Sequence, residues 1–155
     1  MGTRGRIGVQ HGDKCKSIYV HWDSYLDYVG RILLNHYDSA KANHLVALGS
    51  LSSLDVNVEI PEGVEHTFDN PAKGITSFYG RDRGESGNEF AVDHDFESFM
   101  KRVDDSSAEY YYIMKDGEWF VGDNYGSTPM SGRLVLLAEA LADQDIDNNE
   151  VLIRG

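Results

Sequence analysis

Residues 4–22 read Arg4-Gly5-Arg6-Ile7-Gly8-Val9-Gln10-His11-Gly12-Asp13-Lys14-Cys15-Lys16-Ser17-Ile18-Tyr19-Val20-His21-Trp22, and their alternation decides the fold. Successive side chains of an extended chain point to opposite faces, so Ile7 and Val9 fall on one side and Arg4, Arg6 and Gln10 on the other. The run from His11 to Lys14 carries turn-forming residues. Beyond it Ile18, Val20 and Trp22 share one side, and Tyr19 and His21 the opposite one. The stretch predicts a hairpin whose core face carries Trp22 and whose polar face displays Arg4, Arg6, Tyr19 and His21 together.

Working outward, residues 109–114 and 118–122 flank Asp116-Gly117, the dipeptide that most favours a two-residue hairpin turn. Residues 75–80 read as a further strand. Asp23 and Ser24, with Asp27 three residues beyond Ser24, predict a capped helix start, and Tyr25, Val29, Ile32, Leu33 and His36 give that helix a stripe. Asp38-Ser39 starts a second short helix that Gly49 ends. Phe96, Phe99, Met100 and Val103 follow Asp93 and Asp95 at helical spacing, and Leu134, Leu137, Ala138 and Leu141 mark another helix. These elements do not alternate as βαβ units would. The expected class is α+β: an antiparallel sheet of two hairpins and an extra strand, with three to four helices packed on one face.

Length fits one domain over residues 1–155, with 50–74 as an inserted loop and 144–155 as a tail whose Val151-Leu152-Ile153 either docks as a last strand or stays loose. A chain that is 41% hydrophobic and 11% aromatic is expected to fold unaided. One cysteine, Cys15, rules out an internal disulfide and suits reducing cytosol. No apolar run is long enough to span a bilayer, so no membrane partner is expected. The net charge of −12 is uneven: residues 1–42 carry +2 and residues 43–155 carry −14. Such acidity repels phosphate backbones and favours basic partners, which argues against direct nucleic-acid binding.

Three stretches carry a resemblance: Thr3-Arg4; His21-Trp22-Asp23 with Tyr25; and Phe78-Tyr79-Gly80-Arg81-Asp82-Arg83-Gly84-Glu85. In these, and in Gly30-Arg31-Ile32-Leu33-Leu34 and the hairpin from Glu109 to Trp119, the chain resembles a group of small proteins encoded by tailed bacteriophages and prophages. Ser24 departs from the group's pattern, where glycine is expected before the tyrosine. The resemblance implies phage origin, a place in the host cytoplasm, and action on host machinery or host defence. It supplies no catalytic residues.

The chemistry legible in the residues is that of a binding site. Arg4, Arg6, Tyr19 and His21 share the hairpin's polar side, and Tyr79, Arg81 and Arg83 join them if their strand runs on; Tyr25 follows close by. Guanidinium forks suit phosphate oxygens and tyrosine faces suit a stacked base, so the set Arg4, Arg6, Tyr19, His21, Tyr25, Tyr79, Arg81 and Arg83 predicts a pocket for a nucleotide-like anionic signal, bound without turnover. The competing expectation is that these arginines pair with neighbouring acids. The second function class is an acidic inhibitor of a basic host protein, including a nucleic-acid mimic; the third is a hydrolytic enzyme. Self-association remains open. No catalytic set, cofactor or metal site is expected. The histidines show no ligand spacing, Asp145-x-Asp147-x-Asn149 has Glu150 where a calcium loop needs glycine, and Gly84-Glu85-Ser86-Gly87 is one residue short of a nucleophile elbow.

Overall fold

The computed structural model describes the backbone of residues 2–154 and the side chains through residue 146. Strands β1 (Gly5–His11) and β2 (Lys14–Val20) come first, then a π-helical turn (Leu26–Gly30) and helices α1 (Arg31–His36) and α2 (Ser39–Ala47). Strands β3 (Leu51–Ser53) and β4 (Ser77–Phe78), helix α3 (Tyr79–Arg83), strand β5 (Ala91–Asp93) and helix α4 (Phe96–Asp105) follow. The chain closes with β6 (Tyr110–Lys115), β7 (Glu118–Asp123), β8 (Val135–Leu136) and α5 (Leu137–Arg154).

The predicted hairpin forms with Ile7 opposite Ile18 and Arg6 opposite Tyr19. The β6–β7 hairpin also forms, its turn made by Asp116 at φ 52° and Gly117 at φ 80°, the pair of positive angles that matches the twist of flanking strands. The two hairpins join through β1 and β6, which run parallel with Gly5 opposite Tyr110. The sheet order is β4-β3-β2-β1-β6-β7-β8. On its outer edge β2 is shared: Val20 pairs in parallel with Leu51 of β3, while Cys15 to Ser17 pair antiparallel with β5. The architecture is α+β with a mostly antiparallel sheet.

The alternation sorts the apolar side chains between two faces, and both are buried along β1 and β6. Ile7, Val9, Ile18, Val20, Tyr112, Met114, Trp119 and Val121 point to one face and pack with Leu26, Val29, Leu33, Leu45 and Leu137 from the helical segments. At roughly 1.5–3 kcal/mol for each large apolar side chain removed from water, this layer supplies most of the drive to fold. The opposite face is covered as well. Helix α4 sets Phe99 and Val103 on Cys15, Tyr111 and Ile113, so the helices occupy both faces rather than one. The apolar stripe of α4 was legible, but which face it would cover depends on how the chain returns to the sheet from β5.

Several local expectations are corrected. Trp22 is 42% exposed: the ladder of β2 ends at Val20, and although the Trp22 N–H still donates to the Ser52 carbonyl at 3.0 Å, the side chain does not join the core. The ring lies over Gly2 instead, where an added Cβ would stand 2.5 Å from Trp22 Cε3. Asp23 takes φ 58° and caps nothing; the helical segment starts at Leu26 with no side-chain cap. The caps at Asp38 and Asp95 do form, accepting from the Lys41 N–H at 2.9 Å and the Ser98 N–H at 2.7 Å. Residues 75–80 do not continue as a strand, since helix α3 begins at Tyr79. The tail is neither strand nor loose coil: the α5 backbone is helical through Arg154, and the side chains of Val151, Leu152 and Ile153 lie outside the described residues.

Candidate ligand-binding patch

The β1–β2 register brings Arg6 and Tyr19 side by side, and the next residues outward on the same face are Arg4 and His21. Tyr79 arrives from the far side of β2: its N–H donates to the Ser50 carbonyl at 3.3 Å, and the Ser50 hydroxyl accepts from the Tyr19 N–H at 3.0 Å. Four of the eight expected residues, Arg4, Tyr19, His21 and Tyr79, thus gather at one end of the sheet. Burial raises the Tyr19 hydroxyl above the ordinary tyrosine range; the nearby Arg4 charge works against that shift and Tyr79 adds to it. The Tyr19 hydroxyl is hydrogen-bonded to His21 Nδ1 at 2.9 Å, and Trp22 meets the His21 ring edge-on with centroids 4.6 Å apart.

Arg6 sits on the same face but is not available to a ligand. It is buried, and its Nε donates to Ser17 Oγ at 3.0 Å, its Nη1 to Ser106 Oγ at 3.0 Å and its Nη2 to the Ser17 carbonyl at 3.1 Å. Desolvation, with Arg102 nearby, pushes it down to about 10. Helix α4 covers this part of the hairpin, so the polar face of the sequence divides into a buried half and an open half.

Arg81 is also withdrawn. It forks onto Asp82, with Nε to Oδ1 at 2.9 Å and Nη2 to Oδ2 at 3.1 Å, and donates to the Thr76 and Val58 carbonyls. The helical turn at Tyr79 causes this by swinging Arg81 inward to hold residues 58 and 76. Arg83 points outward, with its guanidinium carbon 4.9 Å from the Phe68 ring and Nε 3.9 Å from Glu85. Phe68 in turn packs on Tyr79, with centroids 5.5 Å apart and ring planes tilted by 35°, so Arg83 reaches the patch through this pair of rings. Tyr25 packs beside Tyr28 instead. The sequence reading missed Trp22, placed in the core by alternation, and Phe68, which lies in the 50–74 segment read as an inserted loop.

The open patch thus presents Arg4, Tyr19, His21, Trp22 and Tyr79, with Phe68 and Arg83 beyond. Arg4 is exposed and joins none of the ion pairs formed among the described residues. On a chain of 26 acids and 14 Lys or Arg, such a guanidinium and a row of ring faces can accept a phosphate or carboxylate and stack a base. His66, whose side chain is fully buried, faces Asp82 at 3.3 Å, but its Nδ1 accepts from the Ala72 N–H at 2.9 Å, leaving no lone pair for a substrate proton. Among the described residues no group of three His, Cys, Asp or Glu gathers to hold a metal, and no helix is long and apolar enough to cross a membrane. No protein-family model, no curated protein and no solved structure matches this chain, so the chemistry of the patch rests on its own residues.

Proposed function

We propose that this chain is a non-enzymatic binding protein that holds a nucleotide-like anionic signal on the Arg4–Tyr19–His21–Trp22–Tyr79 patch, and so withdraws that signal from a bacterial defence on behalf of a phage. The observation that carries the reading is Arg4: an exposed guanidinium outside every described ion pair of an acidic chain, beside the Tyr19–His21–Trp22 ring group. Arg4 and Arg83 supply charge, and Trp22 and Tyr79 supply faces. The test is mass spectrometry of small molecules released by denaturing protein purified from infected bacteria, followed by calorimetric titration with adenosine monophosphate, a cyclic dinucleotide and inorganic phosphate. Arg4→Ala and Trp22→Ala are each expected to weaken nucleotide binding tenfold or more, since a charge-assisted contact is worth roughly 1.5–3 kcal/mol and a stacked base roughly 1–3 kcal/mol. Inorganic phosphate should respond to Arg4→Ala alone. Unchanged binding in both variants would remove the patch from consideration.

A second reading has its own support. Residues 43–155 carry −14, and an acidic field of that size favours a basic protein partner, reached by electrostatic steering and blocked on binding. Its mark is steep salt dependence, because exposed charge attraction is screened over about 8 Å at physiological ionic strength.

A further inference from the structure

A groove of about 600 Å³ runs between α5, the π-helical turn and the loop before β8. Its floor is apolar: Leu26, Met130, Val135 and Ala140 line it and are continuous with the main core. Ile146 stands at its end with 56% of its surface exposed. The rim is acidic. Glu139 and Asp143 lie one turn apart on α5, both exposed and in none of the ion pairs formed among the described residues.

We infer that this groove is a docking site for a basic segment of a partner protein, one that sets an apolar side chain on the Met130–Val135 floor and flanks it with lysine or arginine against Glu139 and Asp143. The inference rests on the acidic-partner reading above and gives it an address. Charge complementarity selects the occupant: an acidic rim on a chain of net −12 disfavours a second copy of the same chain, while a basic amphipathic segment satisfies rim and floor together. Met130 suits the role, because an unbranched thioether repacks around different apolar side chains.

The test uses a fluorescein-labelled nine-residue peptide of alternating lysine and leucine, titrated into the whole protein at low and physiological salt and read by anisotropy. Three variants are compared with wild type: Glu139→Gln with Asp143→Asn on the rim, Ile146→Ser at the groove end, and Glu62→Gln with Glu65→Gln as a charge-matched control in the 50–74 segment, which does not line the groove. All the altered residues are exposed, and thermal melts verify that folding is kept. The expected result is a loss of tenfold or more for the rim pair, a clear loss for Ile146→Ser, and no more than a twofold change for the control. Equal losses in rim and control variants, or no loss from Ile146→Ser, would overturn the groove and leave a diffuse acidic surface standing. Failure of wild type to bind at either salt would overturn the groove and the acidic-partner reading together.

Discussion

Arg6 and Arg81 look alike in sequence to Arg4 and Arg83, yet their neighbours assign them to the interior. The contrast makes a direct prediction. The Asp82 side chain is 2% exposed and that of Arg81 22%, and removing one member of a pair so enclosed leaves the other charge without a partner. Arg81→Ala is expected to lower stability by about 3 kcal/mol, measured by urea denaturation, whereas Arg4→Ala leaves the midpoint unchanged. The pair also sets an acid limit. Burial works against the Asp82 charge, but Arg81 and the Phe78 N–H outweigh it and hold the carboxyl below its ordinary 3.8. Its stabilising contribution is therefore complete above about pH 4 and is lost as the pH falls through the lower folded value. Asp82→Asn should flatten the pH dependence of stability in that window and lower stability at neutral pH. Ser24 offers the opposite case: its hydroxyl is buried without a hydrogen-bond partner. Ser24→Ala removes an unsatisfied group and is expected to stabilise by about 1 kcal/mol, a rise of roughly 2–4 °C in the thermal midpoint.

Among the elements, α4 decides which part of the first hairpin's polar face stays open. The cap that Asp95 places on the Ser98 N–H starts α4 where its Phe99 meets Tyr111 edge-on, with centroids 5.8 Å apart. Asp95→Ala removes the cap and should lower the denaturation midpoint, with little effect on patch binding because α4 covers Arg6 and leaves Arg4 clear. The β6–β7 hairpin is held by a close approach. A Cβ on Gly122 would stand 2.1 Å from the Arg133 carbonyl and 2.3 Å from the Tyr111 ring, and the Tyr111 hydroxyl donates to that same carbonyl at 2.9 Å. Only glycine lets the ring lie flat on β7 at this point.

Across the molecule, one sheet divides two apolar layers of unequal size, and the smaller carries a buried cluster of charged and polar side chains. Arg6, Ser17 and Ser106 lie under α4 beside Arg102, which forks onto the buried Asp93 at 2.8 and 3.1 Å. Phe99, 1% exposed, keeps water from this layer. Phe99→Ala is expected to cost roughly 3–5 kcal/mol, a large share of the 5–15 kcal/mol typical of a domain. Equilibrium denaturation followed by far-UV circular dichroism checks it. A smaller loss would mean that α4 settles onto Tyr111 and closes the space.

The two hairpins, the caps at Asp38 and Asp95, the Phe99–Val103 stripe of α4 and the α+β class are written in the sequence, because alternation, helical spacing and turn chemistry are local properties of neighbouring residues; of the stripe expected from Leu134 to Leu141, Leu134 lies before α5 and Ala138 is exposed, so only Leu137 and Leu141 face the core. The sequence also placed Arg4, Arg6, Tyr19 and His21 on one face, since pairing across a short turn follows from register. The tertiary structure decided which face α4 covers, and with it that Arg6 is enclosed while Arg4 stays open. It decided that β2 stops before Trp22 and that the chain turns helical at Tyr79, which frees the tryptophan to solvent and draws Arg81 inward. It also brought Phe68 from the 50–74 segment onto Tyr79. These outcomes depend on contacts between residues far apart in the chain, and the energy of such contacts leaves no period in the sequence.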